Sequence, residues 1–131
     1  MVDIDAVIRA WLGTLAGITS AFGNRIYAGR LLPPGYKPEQ GKALLFAARS
    51  GQQDFSSKIM TPSMQFRIYG ATEKDVREGM KDLYDAINDQ KYQKIVYCRM
   101  EDGTGPVLLT EPGTNWPYIL IFFRMHVRND E

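Results

Sequence analysis

Two periods of apolar residues alternate along this chain. In "TEKDVREGMKDLYDAIND", Val76, Met80, Leu83, Tyr84 and Ile87 recur at helical spacing on one face, and the other positions are mostly charged. Thr72 and Asp75 precede this stripe in a Thr-x-x-Asp variant of the capping box, so the spacing predicts a helix over 72–87. A second helix is predicted over about 4–17, where Asp3 is a good N-cap and Val7, Ile8, Trp11, Leu12, Leu15 and Ile18 keep the same period. Gly13 and Gly17 weaken its end. Elsewhere the period falls to two. "SMQFRIYG" alternates Met64, Phe66 and Ile68 with Ser63, Gln65 and Arg67, a half-buried strand closed by Gly70. Further strands are predicted near 25–28, over 42–50 and over 94–100, with a turn at Asp102-Gly103 and a return strand over 107–110.

The last strand breaks the alternation. "YILIFF" places six large apolar residues side by side from Tyr118 to Phe123. The run ends at Arg124, short of the ~20 residues a membrane span needs. Pro117 and the β-branched and aromatic content favour a strand over a buried helix. One face then carries Ile119, Ile121, Phe123, Met125 and Val127, and belongs on a core. The other carries Tyr118, Leu120, Phe122, Arg124 and His126, apolar for three positions and polar afterwards. Another part of the chain or another subunit must cover its apolar part.

The order helix, strands, helix, strands, joined by short polar loops, predicts an α+β fold: a mostly antiparallel sheet with two helices packed on one face. A length of 131 residues favours a single domain spanning 1–131, large enough to bury one core without staples. The formal charge is +1, from 16 Lys and Arg against 15 Asp and Glu, and implies no strong field for nucleic acid or membrane. Cys98 is the single cysteine, which rules out an internal disulfide and suits a buried strand position. The acidic "MVDID" start is unlike a signal peptide, so a cytoplasmic site of synthesis is expected.

Chemistry is sparse. His126 is the one histidine, which excludes a multi-histidine metal site. Glu101 and Asp102 are adjacent acids beside a glycine and read as turn residues, while "GTGP" lacks the helix that a phosphate cradle requires. The expectation is therefore no enzyme, no metal and no cofactor. What the sequence offers is surface. The strand face of Tyr118, Leu120, Phe122 and Arg124 is a candidate subunit interface. The loops "LLPPGYKPEQG", "GQQDFSSK" and "EPGTNWP" offer Tyr36, Phe55 and Trp116 as candidate anchors for a partner, with folding back onto their own chain as the alternative.

In its segment order the chain resembles the tail terminator, or tail completion, proteins of long-tailed bacteriophages. The resemblance rests on Arg25-Ile26-Tyr27 followed by Leu31 to Pro34, on Phe66 to Gly70 running into the helix over 72–87, and on the closing "FRMHV". The stretch "MEDGTGPVLLTEPGTNWPY" is a longer excursion than the minimal pattern. The resemblance implies a ring of copies, typically six, on the head-proximal end of the tail tube. Such a ring stops tube polymerisation and presents a surface to the head-tail connector or stopper, with DNA passing only through its lumen and no membrane involved. It also implies residence in the virion tail after synthesis in the host bacterial cytoplasm. The alternatives are another virion neck or head-completion subunit and a non-viral α+β protein-binding module.

Overall fold

A computed structural model describes residues 3–50, 59–101 and 105–128. In chain order the elements are α1 (Ile4–Thr14), α2 (Ala16–Phe22), β1 (Ile26–Ala28), a short 3-10 turn (Pro38–Gln40), β2 (Ala43–Ser50), β3 (Ile59–Met60), β4 (Ser63–Tyr69), α3 (Glu73–Ile87), β5 (Ile95–Met100), β6 (Val107–Thr110) and β7 (Pro117–Arg128). The α+β architecture is as expected, with a mostly antiparallel seven-stranded sheet and the helices packed on one face.

The predicted first helix is in fact two. Gly13 and Thr14 are poor helix formers, and the Thr14 hydroxyl donates to the Trp11 carbonyl at 2.6 Å, offering the backbone an alternative to the next turn. Leu15 then turns extended (φ −94°, ψ 115°), closes α1 and opens α2. Both predicted caps form: the Asp3 carboxylate accepts from the Ala6 amide at 3.3 Å and the Thr72 hydroxyl from the Asp75 amide at 3.2 Å.

Strand β7 is the spine of the sheet. On one side it pairs antiparallel with β4 from Ser63↔Arg124 to Tyr69↔Tyr118, and β3 continues that register beyond the break at Thr61-Pro62. Proline lacks the amide a ladder uses, so the strand is interrupted there without slipping. On its other side β7 pairs with β5 and then with β6. The predicted hairpin between these two does not exist. Both run antiparallel to β7, so β6 continues in the direction of β5, with Met100 opposite Phe123 and Val107 opposite Leu120. The turn assigned to Asp102-Gly103 lies outside the described residues. Local turn chemistry signals a change of direction, and pairing with the long β7 overrides it here.

β2 pairs antiparallel with β4, and β1 pairs parallel with β2. A parallel neighbour requires a crossover, which residues 29–42 supply. The main core lies between sheet and helices. Ile8, Trp11, Leu12, Ile18 and Phe22 of the first two helices and Val76, Leu83 and Ile87 of α3 meet Leu44, Phe46, Phe66, Ile68, Ile121 and Phe123. Burial of each such side chain contributes about 1.5–3 kcal/mol. The end of α3 is tied to the outer edge of β5, where the Asp89 amide donates to the Cys98 carbonyl at 2.7 Å and the Met100 amide to Asn88 Oδ1 at 2.8 Å.

Candidate functional site

The face of the sheet opposite the helices is built by the alternate residues of the same strands. Cross-strand register sets them in rows: Tyr27, Leu45, Arg67, Leu120 and Val107 in one, and Ala43, Tyr69, Tyr118 and Leu109 in the next. On β7 the odd-numbered set from Ile119 to Val127 is buried, as the alternation predicts. The even-numbered set divides into three parts.

At the start of β7, the chain covers itself. Tyr118 is buried, stacked on its cross-strand partner Tyr69 with centroids 5.1 Å apart. The crossover 29–42 lies over this end and inserts Tyr36, which meets Trp116 edge-on. Tyr36 Oη donates to the Gly41 carbonyl at 2.7 Å, giving the buried phenol a partner. These rings, with Ala43 and Leu45, form a second, smaller core. Tyr36, expected as an anchor for a partner, therefore seats its ring within its own chain; Trp116 remains half-exposed at the rim. Phe55, the third expected anchor, lies outside the described residues.

A cleft of about 390 Å³ opens beside this small core, between residues 30–36 and the turn at 112–116. Arg67 and Glu111 both line it. The Arg67 guanidinium lies 5.4 Å from the Tyr118 ring centroid, and Glu111 accepts from Tyr69 Oη at 3.1 Å. Arg67 Nε is buried without a hydrogen-bond partner among the described residues. Burial pushes both phenols, Tyr36 and Tyr69, up to about 12.

In the middle of β7, Leu120 and Phe122 are half-exposed, and β6 adds Val107 and Leu109 at 43% and 36% exposure. Short and wholly apolar to the eye, "VLL" carried the signal for this patch, but a hairpin reading would have turned it elsewhere. Leu31, on the proline-rich crossover, stands 86% exposed.

Towards the end of β7, the face becomes polar, as its sequence suggests. Arg124 donates to the Thr61 carbonyl at 2.9 Å and lies 3.4 Å from Glu101 Oε1. The Ser63 hydroxyl donates to the other oxygen of Glu101. This network ties the strand break at Thr61-Pro62 to Glu101, just past the end of β5. His126 sits against the Tyr97 ring, centroids 4.8 Å apart. This face of the sheet thus has an apolar centre and a polar rim.

Among the described residues, no group of three or more His, Cys, Asp and Glu is placed to hold a metal ion, and no helix is long and apolar enough to cross a membrane.

No protein-family model matches the sequence, and no curated protein matches it. The fold is similar to that of a chain in a solved structure described as the virion of a native gene transfer agent particle. The two share 14% identity at a TM-score of 0.71, over 94% of this chain and 92% of that one.

Proposed function

We propose that this chain is a structural subunit of a phage-like virion, and within that class a tail terminator. The observation that carries the proposal is the fold likeness to a chain of a gene transfer agent virion, which runs through nearly the whole of both chains and so is not one shared motif. The segment order of the sequence supports the finer assignment.

In this reading copies of the chain close a ring on the head-proximal end of the tail tube. One surface of the ring matches the last tube layer, and the other differs from it, so no further tube subunit can add and a connector or stopper can dock. Complementary surfaces suffice for this action. It forms and breaks no covalent bond, and calls for neither cofactor nor metal. The half-exposed Leu120 and Phe122, rimmed by Arg124 and Trp116, supply apolar contact with a polar border.

The test is removal of the protein from a phage that encodes it. Overlong tubes and unjoined heads are expected, with joining restored by added purified protein in the presence of a chelator. Tails of normal length that fail to join heads would assign the chain to the neck. Normal virions, or a requirement for metal or nucleotide, would overturn the proposal.

A further inference from the structure

We infer that β6 and β1 are the two halves of one contact between copies of this chain, β6 of one copy adding to β1 of the next. The inference rests on the ring reading above and names the surfaces that close the ring.

Among the described strands, β1 joins the sheet through β2 alone and β6 through β7 alone, at opposite ends of the strand order. An edge strand presents a row of backbone donors and acceptors to any strand that fits. β5, on the same side as β6, is different: its outer edge is closed by Asn88 and Asp89. β6 also exposes Val107 and Leu109, so strand addition there would remove apolar surface from water as well.

Charge favours joining the unlike edges. The segment 101–111 around β6 contains acids and no Lys or Arg, with Glu101 held by Arg124 and Glu111 carrying the acidic charge next to β6, whereas 24–37 around β1 contains Arg25, Arg30 and Lys37 and no acid. Arg25 and Arg30 donate to the carbonyls of Lys42 and Ala48, neutral acceptors, and have no acidic partner among the described residues. Two copies of β6 would instead bring acid against acid.

Direction agrees. β1 is parallel to β2, and three antiparallel steps lead from β2 to β6, so β1 and β6 run in opposite senses. Rotation about an axis along the strands preserves sense, and β6 then meets the next copy's β1 antiparallel. Joining two different edges is a heterologous contact, the kind from which a ring is built when the rotation closes, whereas β6 on β6 would stop at a two-fold dimer.

Ala28 and Thr110 are exposed and lie on helix-side positions of the two edges. The variants Ala28→Cys and Thr110→Cys, alone and mixed, are treated with a short bismaleimide in the assembled state, with sizing in parallel. The native Cys98 is buried and stays silent. Cross-linked dimers only in the mixture are the expected result. Thr110→Cys dimers formed alone would establish β6–β6 pairing and overturn the inference. Rings without mixed cross-links would overturn it while leaving the ring reading intact, and no assembly with or without tube protein would overturn both. Leu109→Lys places a cation opposite Arg25 and Arg30, and should weaken association at least about tenfold with an unchanged thermal midpoint. Assembly at wild-type strength by this variant would also overturn the inference.

Discussion

Tyr36 and Trp116 meet edge to face, with ring centroids 5.9 Å apart and planes at 87°, at the Tyr118 end of the sheet's second face. The crossover that β1 requires to run parallel to β2 carries the first ring, and the loop into β7 carries the second. A loop composition that looks like partner-binding surface has thereby become a small internal core.

Tyr36→Ala should therefore cost stability, about 3 kcal/mol by comparison with other buried large-to-small changes. Trp116→Ala, at a half-exposed rim position, should cost about half as much. Urea denaturation of the two variants measures both. An unchanged midpoint for Tyr36→Ala would show that the ring is free to serve a partner.

The two faces of β7 should respond differently to substitution. Phe123 is fully buried and packs edge-on against Phe66 at 5.5 Å, so Phe123→Ala should cost about 3–5 kcal/mol. Phe122→Asp, on the half-exposed face, should leave a folded chain that assembles poorly. Thermal melts and light scattering on the same samples separate the two effects.

Gly79→Ala should destabilise, although in an exposed helix the same change gains about 1 kcal/mol. A Cβ at Gly79 would lie 2.7 Å from Ile68 Cγ2 and 3.3 Å from Phe22 Cζ. Ile68 is buried and β-branched, so it has little room to turn away. The overpacked variant should lose about 1–3 kcal/mol, read from its denaturation midpoint.

Stability should fall in two steps as pH is raised into the alkaline range. Burial pushes the Cys98 thiol from 9.0 up to about 12, and the phenols of Tyr36 and Tyr69 from 10.0 up to about 12. A raised folded-state value means that the native chain holds its proton where the unfolded chain has released it. The stabilisation is complete below the unfolded values and is lost as pH rises through the window from about 9 to 12. Stability should thus be insensitive to these groups at neutrality, fall from about pH 9 through Cys98, and fall more steeply above 10. Cys98→Ala should delay the onset to the tyrosine range, as read from denaturation midpoints across a pH series.

The sequence alone determined the elements whose signal is local. Val76 to Ile87 repeat every three to four residues, and Met64 to Ile68 every two, because the period of a helix or strand fixes which of its side chains share a face, although Tyr84 at the margin of the helical stripe is exposed. It also determined that β7 needs cover on both faces. What covers the second face was decided by tertiary structure, since Tyr36 reaches Tyr118 through a crossover that exists only once β1 has paired with β2. The break at Leu15 and the direction of β6 were decided in the same way. In the first, two glycines and a threonine left the backbone choice nearly balanced, and the two short helices place Trp11, Leu12, Ile18 and Phe22 together in the core. In the second, a turn-like "EDG" suggested reversal, but the twelve-residue β7 offered a longer ladder in the forward direction, and the hydrogen bonds and apolar contacts along that ladder outweigh a local turn preference.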